Sequence, residues 1–312
     1  MTQTFRYARR VGRLRALWLI ALATGFSACN AADRLTSSSE DTPAATTDPT
    51  STITEPSFAT AFAGGIAMGN WAQPTSTLGS RYNGTLRVIW PKYLKAELAA
   101  IRSRGGKIVL SMTGSESTFK DGSGHFDFTK WKARVLRYKG MDLSSYVRDG
   151  TLIGHFLMDE PNDPSNWNGR LVTPAQVEAM AKFSKSLWPY LPTLVRAEPK
   201  YLSYNHQYLD AAWAQYVTRK GTASDYLRRN VADASSRHLA LVVGLNIRKG
   251  GPGGRAMTGS EIANWGSTML SSSYPCAFLS WQYSSQLNLS SVKSAMDLLR
   301  RKAQARPTKS CR

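Results

Sequence analysis

Acidic residues, cysteine and histidine are all scarce in this chain. Its 312 residues include 21 Asp and Glu against 40 Lys and Arg, with three Cys and four His. No histidine or cysteine is spaced as in a metal site, so neither a metal nor a cofactor is predicted. No glycine-rich fingerprint follows the first strand-like segment, and no basic run alternates with aromatic residues. These absences argue against a dinucleotide-binding loop and against a nucleic-acid groove.

The excess of basic residues is unevenly distributed along the chain. Residues 1–28 carry a net charge of +5, residues 29–57 carry −4 and residues 58–312 carry +18. A field of this size favours polyanionic surroundings such as an acidic polysaccharide or an anionic membrane surface. A solvated basic surface, typical of an Arg-rich proteome, explains the charge equally well.

No apolar run near the N-terminus is long enough to span a bilayer comfortably. The segment ALWLIALATGF follows a cluster of arginines, which predicts a secretory signal peptide over residues 1–28. The signal ends in FSAC, which resembles the lipobox of bacterial lipoproteins, although Phe26 stands where that motif usually has Leu. The resemblance implies that Cys29 is lipidated and becomes the first mature residue. Plain secretion after cleavage near Ala28 is the alternative.

Residues 29–57 are rich in Ser, Thr, Pro and Asp and contain almost nothing to bury. Such a segment cannot offset the entropy lost on ordering, so a flexible tether is predicted. Together with the lipobox it implies a membrane-anchored protein of a bacterial cell envelope, in the periplasm or on the surface.

From about residue 60 onward, apolar strand-like segments alternate with helical ones. The eight strand-like segments are 62–70, 85–90, 107–114, 152–160, 193–198, 209–216, 239–247 and 276–284. Eight strands with room for helices in about 250 residues predict a single (β/α)8 barrel over residues 58–312. A doubly wound open sheet is the alternative. The oligomeric state is not indicated.

The fourth segment ends in two adjacent acids, Asp159 and Glu160, followed by Pro161. Proline cannot continue a sheet ladder, so the strand should end at the carboxylates. Acids at the C-terminal tip of a buried parallel strand lie where barrels place their chemistry. A helix N-terminus, where Asp and Glu are also common, is the alternative.

The C-terminal tips of all eight segments should lie on one face of the barrel. Besides the two acids, that face is predicted to collect Asn70, Trp71, Trp90, Glu116, Arg196, Glu198, Gln215, Tyr216, Asn246, Trp281, Gln282 and Tyr283. Carboxylates ringed by Trp, Tyr, Asn and Gln suit a carbohydrate cleft, because sugar rings stack on indoles and sugar hydroxyls need polar partners. Some of these aromatics could instead simply fill the barrel.

With this predicted architecture and these residues at the strand tips, the chain resembles the (β/α)8 glycoside hydrolase superfamily. The resemblance covers roughly residues 60–305. Asp159-Glu160-Pro161 is similar to the Asn-Glu-Pro at the fourth strand of its largest retaining clan, and Trp281 matches an aromatic that many members carry at strand eight. The resemblance implies a glycosidase with Glu160 as the general acid.

The chain departs from that clan at strand seven, where the clan has its nucleophilic Glu. This sequence has LNIRKGG there, without a carboxylate. Glu198 is then the first candidate for the second carboxylate, and Glu116 the next. A mechanism assisted by the substrate's acetamido group, with Glu160, Tyr216 and Trp281, is another possibility. A non-catalytic carbohydrate-binding barrel and a basic scaffold for anionic polymers are the alternatives to an enzyme.

If Cys29 carries lipid, Cys276 and Cys311 remain as a possible disulfide in an oxidising compartment. The barrel model places Cys276 at the start of strand eight, and the last helix returns to that same face. The alternative is that Cys276 is merely buried and Cys311 frays.

Overall fold

The computed structural model describes residues 64–312; the predicted signal, Cys29 and the tether lie outside the described residues. Eight parallel strands pair in chain order and close into a barrel. The strands are β1 (Ala67–Trp71), β2 (Gly84–Val88), β3 (Lys107–Ser111), β4 (Leu152–Asp159), β5 (Thr193–Arg196), β6 (Ala211–Tyr216), β7 (Ala240–Leu245) and β8 (Ala277–Ser280). The predicted (β/α)8 fold is therefore confirmed.

Seven α-helices surround the barrel in the part of the chain that the structure describes. They are α1 (Pro91–Ser103), α2 (Phe128–Leu136), α3 (Ser144–Arg148), α4 (Pro174–Leu187), α5 (Ala223–Ser236), α6 (Gly259–Met269) and α7 (Ser290–Gln304). The β1–β2 and β5–β6 connections contain only the short 3-10 helices Thr75–Thr77 and Pro199–Tyr201. No helix within residues 64–312 is long and apolar enough to cross a membrane.

Local signals fix where the helices begin, as α4 shows. Thr173 accepts a hydrogen bond from the backbone N–H of Gln176 at 3.2 Å, and the Gln176 side chain accepts one from the Thr173 N–H at 2.9 Å. This reciprocal capping box satisfies free amides at the helix start, and Pro174 needs no partner there.

Side chains alternate between the inside of the barrel and the layer under the helices, as the period of a strand requires. On β6, Trp213 packs with the residues that fill the barrel, whereas Tyr216 packs with the outer layer. On β1, Trp71 lies on the inner side. This alternation determines which side chains at the C-terminal ends of the strands reach the opening of the barrel at that end. We call this opening the mouth.

The opposite end of the barrel is closed by the C-terminal tail. Cys276, just before β8, and Cys311 form a disulfide with their Cα atoms 5.3 Å apart. Both cysteines are 2% exposed and pack with the inner residues of the barrel. Lys309 Nζ donates to the Tyr274 carbonyl at 2.6 Å and Thr308 Oγ1 to the Gly65 carbonyl at 3.3 Å. The disulfide and the tail together form a floor under the barrel.

Candidate active site

Arg196 organises the mouth at the ends of β4 and β5. The register pairs it with Asp159, and its Nε and Nη2 donate to the two carboxylate oxygens of that residue, the Nη2–Oδ2 distance being 2.7 Å. Nη2 also lies 3.3 Å from Oε2 of Glu160, and Nη1 donates to Gln215 Oε1 at 2.6 Å. Bidentate pairing with a guanidinium orients a carboxylate rigidly, so Asp159 has one well-defined position.

Glu160 follows the last residue of β4 in an unusual backbone conformation. Its φ of 32° is in the left-handed region, which non-glycine residues rarely adopt and which turns the chain out of the strand. Its carbonyl accepts hydrogen bonds from Trp167 Nε1 at 3.2 Å and from the Asp163 N–H at 3.0 Å. The side chain is 43% exposed, so the carboxylate of Glu160 is open to solvent.

Four aromatic rings pack together beneath and beside these charges. Trp71 lies 5.0 Å from Phe156, 5.0 Å from Trp281 and 6.2 Å from Trp213, measured between ring centroids. The guanidinium of Arg196 lies over Trp281 at 5.2 Å and over Trp213 at 5.9 Å. Trp71 and Trp281 are only partly buried. They therefore offer indole surface to a ligand in the mouth.

Glu116 enters the mouth from a 3-10 helix, Glu116–Phe119, that follows β3. It shares a cavity of about 220 Å³ with Asp159, Trp71 and Trp281. Its Oε1 is buried and has no hydrogen-bond partner within the described residues. Burial, and next the charge of Asp159, raise the pKa of Glu116 to about 7, against the opposing charges of a nearby lysine and arginine. Glu116 is therefore a carboxyl that carries a proton close to neutral pH.

Glu198 lies beyond β5 in a smaller cavity of about 30 Å³, which Glu160, Arg196 and Gln215 also line. Its Oε1 is 2.5 Å from Lys220 Nζ, so its charge is already paired. Gln215 Nε2 is buried without a partner in the described part of the chain. The ion pair with Lys220 and the separate cavity set Glu198 apart from Glu116 and Asp159.

The structure brings eight of the predicted site residues together. Trp71, Glu116, Asp159 and Trp281 line the larger cavity, and Glu160, Arg196, Glu198 and Gln215 line the smaller one. Arg196 joins the two groups, because it contacts both Asp159 and Glu160.

Two predicted residues lie on the wrong side of the barrel wall. Asn70 is fully buried, alternates with the inward-facing Trp71, and donates to Gln73 Oε1 at 2.7 Å. The ring of Tyr216 packs in the outer layer, and its hydroxyl donates to the Gly221 carbonyl at 2.9 Å. Neither side chain reaches the mouth. The mechanism assisted by the substrate's acetamido group would therefore lack Tyr216 at the mouth.

Trp90 and Asn246 lie at the rim of the mouth. Trp90 is 41% exposed, and the guanidinium groups of Arg134 and Arg137 lie 5.1 and 4.6 Å from its ring centroid. Asn246 accepts a hydrogen bond from the Lys249 N–H at 2.9 Å, which closes its own loop.

Gln282 and Tyr283 line neither cavity of the mouth. The peptide bond before Gln282 is cis. The Tyr283 N–H donates to the Trp71 carbonyl at 2.9 Å, while its ring packs against the outer core. Tyr283 therefore supports the backbone of β1 and does not contribute its ring to the site.

Several residues that line the two cavities are not predicted from the sequence, among them Phe156, Trp213 and Lys220. Trp213 could have been found, because it stands two positions before Gln215 on β6 and therefore shares its face. Phe156 belongs to the apolar run of β4, which by itself indicates only a buried strand. Lys220 ends the short 3-10 helix Thr218–Lys220, and no local pattern predicts its ion pair with Glu198.

Neither His155 nor His206 contributes to the site. His155 is fully buried under α4, where Nδ1 lies 2.8 Å from Ser184 Oγ, and burial lowers its pKa to about 3. His206 Nδ1 lies 3.3 Å from Glu178 Oε2. Within residues 64–312, no group of three or more His, Cys, Asp or Glu is arranged to hold a metal ion.

Solved structures with a similar barrel fold include glycoside hydrolases. The endoglucanase Cel5A of Pseudomonas stutzeri superposes with a TM-score of 0.50 at 11% identity, over 80% of this chain and 97% of that one. The same enzyme in complex with cellobiose gives 0.50 at 13% identity, with the same coverage. The fold is glycoside hydrolase-like.

Other similar structures have lower scores. The catalytic domain of the major endoglucanase of Xanthomonas campestris gives a TM-score of 0.48 at 11% identity, over 71% of this chain and 84% of that one. The glycoside hydrolase domain of PelA from Pseudomonas aeruginosa gives 0.42 at 14% identity, over 75% and 97%. Neither a protein-family model nor a curated protein matches the sequence.

Proposed function

We propose that the protein is a glycosidase that hydrolyses a poly- or oligosaccharide bound in the barrel mouth. The observation that carries the proposal is the cavity in which Glu116 and Asp159 meet Trp71 and Trp281. Glycosidic cleavage needs one protonated carboxyl at the leaving oxygen and a carboxylate that supports the oxocarbenium-like transition state. The indoles supply flat apolar surface for the sugar ring.

Glu116 suits the role of proton donor better than Glu160, to which the sequence assigned it. A general acid works best when its pKa is near the operating pH, and the pKa of Glu116 is about 7. The side chain of Glu160 is 43% exposed and lies 3.3 Å from Arg196. Asp159, held by both donor groups of Arg196, is then the ionised partner. A proton-donating carboxyl paired with a carboxylate is the usual division of labour in glycosidases.

The experiment compares Glu116→Gln, Glu160→Gln and Asp159→Asn on a panel of neutral, amino and acidic glycans. We expect Glu116→Gln and Asp159→Asn to lower kcat about 10²–10⁴-fold, the usual range for an acid or base. Glu55→Gln makes the same chemical change in the predicted tether and is the control. A full loss in Glu160→Gln with an active Glu116→Gln would return the donor role to Glu160. Full activity in all three variants would refute the proposed site.

A second candidate function is non-catalytic carbohydrate binding. It is favoured by the tip of β7, where Asn246 stands without a carboxylate, and by Arg196, which contacts both Asp159 and Glu160. This candidate requires glycan binding that depends on Trp71 and Trp281, without release of reducing ends on any substrate. Measured hydrolysis that is lost in Glu116→Gln would exclude it.

We also propose that the domain is held at a bacterial cell envelope through a lipid on Cys29. The support comes from the sequence alone: the arginine-rich start, the short apolar segment, FSAC and the Ser/Thr/Pro-rich residues 29–57. A tether of this composition would let the mouth sample polymers near the membrane.

A further inference from the structure

A second cavity lies at the floor of the barrel, at the opposite end from the mouth. Its volume is about 390 Å³, and it is backed by the Cys276–Cys311 disulfide. The lining includes four basic side chains that come from three separate elements. These are Lys107 at the start of β3, Arg148 at the end of α3, and Lys309 and Arg312 in the C-terminal tail.

The lining residues include four basic side chains against one acidic side chain. Asp149 is the one acidic side chain among the lining residues, and it already pairs with Arg102 at 2.6 Å and accepts from the Thr151 N–H at 3.0 Å. Arg312 reaches only Asp210, outside this cavity, at 3.8 Å. The cavity therefore has a surplus of positive charge.

Among the residues that the structure describes, Lys107 is the clearest case of a basic side chain that is partly buried in this cavity without a partner. Within residues 64–312, neither a hydrogen bond nor an ion pair is formed by its Nζ, and burial lowers its pKa despite the charge of Asp149. Burial, followed by repulsion from Arg306, also lowers the pKa of Lys309. A charged group such as Lys107, which is desolvated without a partner in the described part of the chain, destabilises the folded state, and a bound anion would compensate it.

We propose that the floor cavity binds a phosphate group. A guanidinium fork such as that of Arg148 matches the geometry of phosphate oxygens, while Lys107 adds a point charge. The volume is within the range of small-molecule sites and exceeds what inorganic phosphate needs, so the ligand is a phosphate ester. Arg312 and Lys309 line the same cavity and add to its positive field, although their charged groups contact Asp210 and the Tyr274 carbonyl. A lipid headgroup and a soluble phosphate ester are the two sources of this chemistry.

The test uses the full chain with two series of probes. Thermal melting and calorimetric titration with glycerol 3-phosphate, against sodium chloride of equal ionic strength, measure the soluble source. Sedimentation with phosphatidylglycerol vesicles, against phosphatidylcholine vesicles, measures the lipid source. We expect saturable binding in at least one series, weakened tenfold or more by Lys107→Gln and by Arg148→Gln. Arg148 is exposed, so its replacement does not depend on repacking of the core.

Lys200→Gln is the matched control, because Lys200 is exposed, lies beyond β5 and lines no part of this cavity. Binding to vesicles alone would assign a lipid headgroup, and binding to glycerol 3-phosphate alone a soluble ester. The proposal is overturned if neither probe binds beyond the salt control. It is equally overturned if Lys200→Gln weakens binding as much as Arg148→Gln does. Glycosidase activity has no part in these readouts, so this proposal and the proposed function can fail separately.

Discussion

Glu116 follows β3, Asp159 is the last residue of the neighbouring strand β4, and both face the same cavity, where burial and the charge of Asp159 raise the pKa of Glu116 to about 7. Arg196 binds Asp159 through both of its carboxylate oxygens and so fixes one of the two acids. The pair thereby combines a carboxyl that keeps its proton near neutral pH with a rigidly placed carboxylate. Both properties depend on a neighbouring residue: the pKa of Glu116 on Asp159, and the fixed position of Asp159 on Arg196.

The raised pKa of Glu116 predicts a pH-dependent cost in stability. The pKa rises from 4.5 to about 7 on folding, so between these values the native state binds more protons than the unfolded state. The free energy of unfolding should therefore fall as pH increases from about 4.5 to 7. Glu116→Gln removes this contribution and should melt at a higher temperature than the parent at pH 8, with little difference at pH 4.5.

Calorimetric melting of both proteins over pH 4.5 to 8 checks this expectation. Glu55→Gln, with the same change in the predicted tether, should follow the parent at every pH. A Glu116→Gln variant that is less stable than the parent at pH 8 would show that the buried carboxylate is compensated in the fold. Activity measured on the same samples should fall while stability rises, as is common when a site residue is replaced.

The aromatic wall predicts unequal roles for the three tryptophans that the sequence places at the strand tips. Trp71 and Trp281 line the mouth cavity, whereas Trp90 lies at the rim against two arginines. Trp71→Ala and Trp281→Ala should weaken glycan binding about tenfold or more, which corresponds to ~1.4 kcal/mol or above. Trp90→Ala should leave binding of short oligosaccharides unchanged. Calorimetry with an oligosaccharide of two to four sugars compares the three, and equal losses in all would contradict the assigned cavity.

The barrel itself could be predicted because its signals are local. Apolar runs of strand length, the Thr173-Pro174 helix start and the acids before Pro161 can each be read from a few consecutive residues. The strands observed fall within or beside the predicted segments, and β5 ends at Arg196, two residues before the predicted limit.

The composition of the mouth could be predicted only in part, because it depends on the phase of each strand and on contacts distant in sequence. Gln215 and Tyr216 are adjacent, yet one lines the mouth and the other is buried in the outer layer. The pKa of Glu116 depends on Asp159, 43 positions away in the sequence, and on how deeply the loop after β3 is buried. Neither effect can be predicted from the residues that flank Glu116 in the sequence.

The floor of the barrel predicts how the C-terminal tail contributes to stability. The Cys276–Cys311 disulfide closes a loop with a sequence separation of 35 and seals the inner core from solvent. Replacing both cysteines by Ser should lower the free energy of unfolding by about 2–4 kcal/mol, mainly by freeing the unfolded chain. Denaturant unfolding of the double variant measures the loss. Reduction of the parent protein should reproduce it, and a tail that stays protected from proteolysis after reduction would indicate that the noncovalent contacts suffice.

The predicted lipid on Cys29 has consequences that can be separated from those of the barrel. Expressed in a bacterium with lipoprotein processing, the parent should sediment with membranes and enter the detergent phase, because two or more acyl chains anchor a protein stably. Cys29→Ser should release it to the soluble fraction, while Asn30→Ser, one residue further on, should leave it bound. Mass spectrometry of the mature N-terminus checks the same point directly. An unmodified chain that begins near residue 29 would indicate plain secretion, and the barrel should fold and act in the same way in either case.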